Sequence, residues 1–193
     1  MRLVSVNVGR PRRVGFHGRQ VRSAIWKSPV EGRVHAGTLG LEGDKQSDLR
    51  VHGGPDKAVY AYPSEHYAHW MRELGLPDLP WGAFGENLTT EGLLERDVRV
   101  GDRFQAGSAE FLVTDPRMPC YKLGVRFDRD DMVKRFLEHG GSGFYLAVLR
   151  EGEIAAGDQV EIAARAEDSV TIADVFDQRV AAAERRARAA GSA

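Results

Sequence analysis

Cys120 is the only cysteine of the 193-residue chain, and it lies in the stretch TDPRMPCYKLGVRF, close to Arg117 and Lys122. Nearby cations stabilise a thiolate relative to a thiol, and they do so more strongly if a helix begins just after the cysteine. Pro116 and Pro119 restrict the backbone, so the thiol is held in place. The pattern predicts a metal ligand or a nucleophile; a lone cysteine that is only a small buried apolar side chain remains the alternative.

Two further segments carry side chains suited to binding. In LEGDKQSDLRVHGGPDKAVYAYP, glycines expose backbone N–H groups and lysines add positive charge, which suits a phosphate. The segment places Asp44, Lys45, His52, Asp56 and Lys57 around three glycines, two of which are Gly53 and Gly54. FGENL offers Glu86 and Asn87, a carboxylate and an amide that can hydrogen-bond the edge of a heterocycle. An ordinary turn explains either segment taken alone.

Several other classes of site are disfavoured. The chain has no G-x-S-x-G elbow, Walker motif or G-x-G-x-x-G turn, although a cysteine hydrolase with Cys120 as nucleophile and His52 as base stays open. His66 and His69 lack further ligands at zinc-like spacing, so packed or surface histidines are favoured. The net charge of −1 predicts no general attraction to nucleic acid or to an anionic membrane. With one cysteine, no signal peptide and no membrane span, we expect a cytoplasmic protein.

Short strands separated by glycine turns must position these residues. A first strand is predicted at Leu3–Val8, and short strands in the pieces between Ser23 and Val59. The basic segment GRPRRVGFHGRQVR is expected to be an exposed loop or mobile arm, with a binding role as the alternative. Later strands are expected in DVRVGDRFQAG, AEFLVTDP, GFYLAVLREG and DQVEIAAR. Apolar residues at helical spacing predict a helix in PSEHYAHWMRELG, and a second helix is expected in RDDMVKRFLEHGG, starting at Asp128 and closed by Gly140.

The fold class expected from these elements is mainly β with α, a mixed or antiparallel β-barrel with helices packed outside. One main domain should span residues 1–176, followed by a helical tail at 177–193. The tail has few large apolar side chains near its end, so two outcomes remain open: it frays, or it docks on a partner chain to form a homodimer.

The ordered motifs SAIWK, LGLEGDKQSD, VHGGPDKAVYAYPSEHY, FGENL, VGDRF, PRMPCYKL and VTIADVF resemble the MOSC superfamily, and most closely a stand-alone bacterial branch of it. The resemblance covers residues 23–176 and implies a strand-rich barrel that binds the molybdenum cofactor, a pterin with a dithiolene and a terminal phosphate. It implies that Cys120 ligates the metal, a soft ligand for a soft site. The residues implied to line the cofactor are Lys27, His52, Gly53, Gly54, Asn87, Arg117 and Lys122.

The resemblance also implies an activity, the reduction of N-hydroxylated compounds such as hydroxylaminopurines. His52 or Glu86 would deliver the proton. The chain has no CxxC cluster and no flavin or nicotinamide fingerprint, so an external reductase should supply electrons. Pyridoxal phosphate and nucleotide cofactors are not expected, and neither is a nucleic-acid or membrane partner. The alternative is a non-catalytic domain that carries the cofactor or sulfur.

Overall fold

An eight-stranded sheet forms the centre of the molecule in the computed structural model, which describes residues 1–45 and 53–190. The thirteen strands, in chain order, are β1 (Arg2–Val8), β2 (Arg12–Phe16), β3 (Arg19–Ser23), β4 (Ser28–Pro29), β5 (Val34–Gly37), β6 (Gly40–Leu41), β7 (Val59–Pro63), β8 (Leu88–Glu91), β9 (Arg103–Ala106), β10 (Ala109–Pro116), β11 (Phe144–Arg150), β12 (Gly152–Ile154) and β13 (Val160–Ala164). The helices are α1 (Tyr67–Leu74), α2 (Lys122–Phe127), α3 (Met132–His139) and α4 (Ile172–Ala190). Short 3₁₀ turns cover Pro55–Lys57 and Ser64–His66.

The main sheet has the strand order β13-β9-β10-β11-β7-β8-β1-β4, and its pairs are antiparallel except for β7 with β8. The start of β1 also reaches the start of β13, through one bridge between Arg2 and Gln159 and a hydrogen bond from Leu3 N to Asp158 O at 2.9 Å. An isolated bridge is not a continuous ladder. The described residues therefore confirm a mixed α+β fold with a largely antiparallel sheet, but they do not confirm a closed barrel.

The apolar residues form two buried clusters. The larger is formed mostly by alternate strand residues of the main sheet; in β10, for example, buried Ala109, Phe111 and Val113 are separated by partly buried residues. The second is rich in aromatic rings and lies between the sheet and helices α1 and α3, around Tyr62, Trp70, Phe84 and Phe136. This second cluster supports the floor of the cleft described below.

Helix α1 confirms the first predicted helix. Tyr67 and Trp70 are buried on one face, while Met71 and Leu74 pack at the edge of the aromatic cluster. Gly75 ends the helix in the left-handed conformation at φ 66°, and its N–H bonds to the last carbonyls of the helix. The predicted periodicity and the predicted stop are both found.

The basic segment after β1 is not a loop, so that prediction is wrong. Residues 12–23 form an antiparallel hairpin, β2 with β3, in which Val14 lies opposite Val21. His17 and Gly18 make the turn with φ values of 48° and 72°, the pair of positive angles that a tight two-residue hairpin needs. The arginines obscured the strand pattern because they break the alternation of apolar side chains.

The second predicted helix is present as α3, but Asp128 does not start it. Asp128 has φ 52° and is the left-handed residue that ends the short helix α2. The N-cap of α3 is Asp131, and Gly140 closes the helix as expected. Asparagine and aspartate tolerate left-handed φ, which explains why the same residue type serves at both positions.

Helix α4 begins with a reciprocal cap. Thr171 Oγ1 accepts a hydrogen bond from Asp174 N at 3.1 Å, and Asp174 Oδ2 accepts bonds from the N–H and hydroxyl of Thr171. Ile172 and Phe176 anchor the first turns in the core, and Arg179 pairs with Asp115 of β10. Among the described residues, no helix combines the length and apolar character needed to cross a membrane.

Candidate functional site

A cleft beside β7 and the β10–α2 connection encloses about 620 Å³ of empty space, part of it open to solvent. The predicted site residues that line it are Lys27, Gly53, Asn87, Arg117, Cys120 and Lys122. The other lining residues are Ser23, Ala24, Ile25, Lys57, Tyr60, Phe84, Gly85 and Tyr145. Residues far apart in the sequence are thus brought to one concave surface, as a binding site requires.

Cys120 is partly buried in the wall of this cleft. It follows β10 in a proline-rich connection, and its carbonyl oxygen accepts a hydrogen bond from Leu123 N at 3.0 Å as the chain turns into α2. The expected helix after the cysteine therefore exists, beginning at Lys122. Cys120 lines this space and belongs to neither apolar cluster, so the alternative of a sealed, purely packed cysteine is disfavoured.

Arg117 is a buried cation on the same wall, only 6% exposed. Its guanidinium lies 5.1 Å from the ring centre of Tyr60 and 5.3 Å from that of Phe136. Its Nη1 has no hydrogen-bond partner among residues 1–45 and 53–190, and no carboxylate in those ranges forms an ion pair with it. An unpaired buried cation is costly, so this arrangement favours an anion bound in the cleft.

Two tyrosines in the wall were missed in the sequence. Lys57 Nζ lies 5.5 Å from the ring centre of Tyr145, and burial raises the pKa of this phenol more than the nearby charge of Arg117 lowers it. Tyr60 donates from its hydroxyl to Ser142 O at 2.9 Å. Burial raises the pKa of both phenols, so both remain protonated hydrogen-bond donors at neutral pH. The only signal in the sequence is the alternation of side chains along the strand VYAYP, which places Tyr60 and Tyr62 on the same face of the sheet.

Lys27 lines the cleft, but its charge is already paired. Its ammonium lies 2.6 Å and 2.5 Å from the two carboxylate oxygens of Asp44, and Asp44 also accepts a hydrogen bond from Gly9 N at 2.8 Å. Burial lowers the pKa of Lys27 and outweighs the opposing effect of Asp44. This pair links the segment after β3 to the one that follows β6.

Asn87 joins three segments of the fold. Its Oδ1 accepts a hydrogen bond from Tyr60 N at 3.2 Å, and its Nδ2 donates to Asn7 O at 3.2 Å and to Asp44 Oδ2 at 2.9 Å. These bonds tie β1, β7 and the Lys27–Asp44 pair together just before the parallel strand β8. The side-chain amide is thus used within the protein.

Glu86 lies behind the cleft wall, is fully buried and does not line the space. Its carboxylate accepts four hydrogen bonds, from the hydroxyls of Tyr67 and Thr89 and from the backbone N–H groups of Gly82 and Phe84. Burial raises the pKa of Glu86, although these bonds oppose that effect. The carboxylate fixes the loop that carries Phe84 and Gly85 into the cleft.

Gly53 and Gly54 adopt conformations that few other residues tolerate, with φ of 128° and 87°. Gly53 lines the cleft, and Gly54 precedes the 3₁₀ turn at Pro55–Lys57 that brings Lys57 to the wall. Gly54 does not line the cleft itself. His52, the expected proton donor, lies outside the described residues.

The predicted histidine pair packs within the protein. His66 Nε2 lies 3.0 Å from Glu95 Oε2, and His66 Nδ1 lies 3.0 Å from His139 Nε2. The ring of His69 stacks on that of His139 with centres 4.1 Å apart. Within residues 1–45 and 53–190, no group of three or more histidine, cysteine or acidic side chains is arranged to hold a metal ion.

A family model of the MOSC domain matches residues 48–161. Uncharacterized protein YflK of Bacillus subtilis is 41% identical over 170 residues, covering 88% of this chain and 76% of YflK. Protein YiiM of Escherichia coli is 43% identical over 150 residues, covering 76% of this chain and 66% of YiiM. A Gibberella moniliformis protein described as a reductase is 36% identical over 166 residues, covering 84% of this chain but 29% of that protein.

The crystal structure of YiiM from Geobacillus stearothermophilus superposes with a TM-score of 0.75 and 38% identity, covering 91% of this chain and 81% of that one. Sequence and structure therefore agree on the same family over most of the chain.

Proposed function

Because the chain belongs to the MOSC domain family, we propose that its cleft binds a molybdenum cofactor and that the protein reduces N-hydroxylated compounds. The comparisons establish that the chain contains a MOSC domain and that one of its relatives is described as a reductase. The observation that carries the proposed cofactor and reaction is that one wall holds both a thiol, Cys120, and a buried cation, Arg117, whose Nη1 has no hydrogen-bond partner among the described residues.

The residues present fit the cofactor that the family resemblance implies. A thiolate is a soft donor suited to a metal already held by sulfur, and Cys120 would hold it. Arg117, Lys57 and Lys122 line the same space, and their charges would offset those of the dithiolene and the phosphate. Such an anion would accept a hydrogen bond from Arg117 Nη1, which has no partner among the described residues.

Other predicted residues support the site from behind. We assign Lys27 and Asn87 to holding the cleft wall, because Asp44 and the backbone already take their donors. Glu86 positions the 82–86 loop, since its carboxylate oxygens are filled by hydrogen bonds from the protein. Gly53 brings backbone to the cleft without a side chain that would fill it.

When bound, the cofactor would supply the two-electron step that converts an N-hydroxyl group, with two protons, to an amine and water. Tyr145, which is protonated and lines the cleft together with Arg117, offers a hydrogen bond to a polar substrate group. His52 remains the candidate proton donor on sequence grounds, because a histidine exchanges protons near neutral pH. The electrons come from a separate donor, since the sequence carries no redox motif of its own.

The second candidate is a domain that carries the cofactor or sulfur without turnover. It is favoured by one observation: the chain spans only 29% of the relative that is described as a reductase. That relative has a large additional part, and its activity need not reside in the shared region.

Metal content tests the cofactor assignment. The protein and Cys120→Ser should be purified from cells that synthesise the cofactor, and molybdenum and pterin measured per mole of protein. We expect both in the parent and loss of molybdenum in the variant, whose fold is checked by circular dichroism. Equal molybdenum in the two proteins, or none in either, would rule out the assignment.

Turnover separates the two candidates. Loaded protein is supplied with 6-hydroxylaminopurine and reduced methyl viologen, and formation of adenine is followed. A reductase forms adenine, whereas a carrier binds the cofactor and forms none.

A further inference from the structure

The β2–β3 hairpin carries a dense positive charge that the proposed chemistry does not use. The arginines in the hairpin and just before it are all exposed, and they are Arg10, Arg12, Arg13, Arg19 and Arg22. No aspartate or glutamate occurs between Met1 and Val30. The charge is therefore not balanced along this part of the sequence.

The hairpin register places two of these charges directly opposite one another. Arg13 pairs with Arg22 across the strands, on the face that also carries Gly15 and Gln20. Like charges at directly opposed positions destabilise an antiparallel pair. In the described ranges, 1–45 and 53–190, neither arginine forms an ion pair with a carboxylate. Within those ranges, no carboxylate compensates the positive charge of this face.

The other face of the hairpin fixes its place beside the cleft. The ring of Phe16 approaches Gly124 of α2, and His17 bonds to Asp130 at 2.7 Å. The guanidinium of Arg12 stacks on Trp26 at 4.2 Å from the ring centre. Ser23, the last residue of β3, lines the cleft. The basic face is thus held at the border of the space that contains Cys120.

We propose that the Arg13–Arg22 face of the hairpin is the docking surface for an acidic electron-donor protein. The inference rests on the proposed function, because that function requires electrons from outside the chain. Complementary charge speeds the encounter of two proteins and orients them, and electron-transfer complexes are small and weak enough to be governed by it. A donor seated on this face is brought to the border of the cleft.

A nucleic acid is the competing anionic partner. We favour a protein because the proposed function needs electrons from outside the chain, and a nucleic acid does not supply them. The test includes this competitor as an outcome.

The test compares two electron donors. The probes are a reduced flavodoxin of net negative charge and reduced methyl viologen, which is small and needs no docking surface. The variants are Arg13→Glu/Arg22→Glu and the neutral Arg13→Gln/Arg22→Gln, with Arg185→Glu/Arg186→Glu on the exposed end of α4 as a matched control. Each is loaded with cofactor and assayed with 6-hydroxylaminopurine.

Charge reversal on the hairpin should lower kcat/KM for flavodoxin about tenfold or more at low salt, the neutral pair less, and the α4 control should behave as the parent. Turnover with methyl viologen should be unchanged in all variants. An equal loss with both donors, or no loss with flavodoxin, overturns the proposal.

A direct binding measurement tests the docking surface independently of the reductase activity. Flavodoxin binding is measured by titration calorimetry with the parent and the hairpin variants, and it should weaken with charge reversal and with added salt. If binding follows this pattern but neither the parent nor any variant turns over with either donor, the proposed function fails and the docking surface stands. If the parent binds a single-stranded oligonucleotide through these arginines and does not bind flavodoxin, the surface is assigned to nucleic acid and our proposal is wrong.

Discussion

The ammonium of Lys27 contacts both carboxylate oxygens of Asp44, at 2.5 Å and 2.6 Å, and the two side chains are only 7% and 4% exposed. Breaking a buried pair leaves one charge without compensation, which costs more than removing both. We expect Lys27→Met to lose about 3–5 kcal/mol of unfolding free energy. Lys27→Met/Asp44→Asn should recover much of it, because asparagine still accepts from Gly9 N. Urea unfolding measures both, and a single variant no less stable than the double would contradict the assignment.

Replacing Arg117, unlike replacing Lys27, should weaken cofactor binding without lowering the free energy of unfolding. Its buried charge has an unsatisfied N–H, so Arg117→Met should leave the cofactor-free protein as stable as the parent, or more stable by about 1 kcal/mol. The same variant should bind less molybdenum cofactor, because the anion loses its buried partner. Thermal unfolding and metal content are measured on the same preparations. A strongly destabilised Arg117→Met would contradict the stability expectation, and an undiminished molybdenum content would contradict the role of Arg117 in binding.

Acid should destabilise the protein through His139. Burial first, and then the neighbouring His66 and His69, lower the pKa of His139 from 6.5 to about 4. Between these values the unfolded chain binds the proton and the folded protein does not, so stability falls as the pH falls through this window. Because the ring is half exposed, we expect only about 1 kcal/mol from it.

The lowered pKa of Glu95, which burial opposes and His66 produces, acts in the same direction. The His139 contribution is therefore isolated by comparing the parent with His139→Gln. Urea unfolding at pH 7 and pH 4.5 should show a smaller loss in the variant. Equal losses would show that His139 does not titrate as described.

Gly54 has φ 87° and ψ 172°, a conformation nearly restricted to glycine, yet a Cβ there would have no atom within 4 Å. Gly54→Ala should therefore cost about 1–3 kcal/mol through backbone strain alone. Gly15→Ala in β2 is the control, since it also has open space and its φ is not positive. It should be neutral or slightly stabilising. Similar effects of the two changes on unfolding would refute the strain argument.

The opposed arginines of the hairpin predict a cost in stability. Arg13→Gln removes the repulsion with Arg22 and should stabilise the protein by about 0.2–1 kcal/mol, more at low salt. Arg19→Gln, which lies opposite Phe16, is the matched control and should change little. Thermal unfolding at two salt concentrations measures the difference. The absence of any salt dependence would mean that the two charges do not interact.

The sequence predicted those parts of the fold in which local signals agree. Helix α1 combines an apolar face with a glycine stop, and Cys120 stands out between prolines and cations. The hairpin was missed because its turn signal is weak and its strands are charged. Asp128 was misassigned because a residue that starts one helix also suits the end of another.

The missing parts of the site depend on contacts between distant segments. Nothing near Lys27 indicates that Asp44 neutralises it, and nothing near Arg117 indicates that its N–H lacks a partner. Tyr145 reaches the cleft only because β11 pairs with β7 and β10. Residue type suggested which side chains could bind a ligand. The pairing of strands decides which of them are already bonded within the protein and which can still contact a ligand.

Because the only sulfhydryl of this protein borders its cleft, a thiol-specific fluorophore can attach at one position only. A cofactor bound as proposed would occupy that sulfur, so the fraction of protein that resists labelling would count the loaded molecules. One reagent thus distinguishes filled from empty protein in a single sample, with no other cysteine to contribute to the signal.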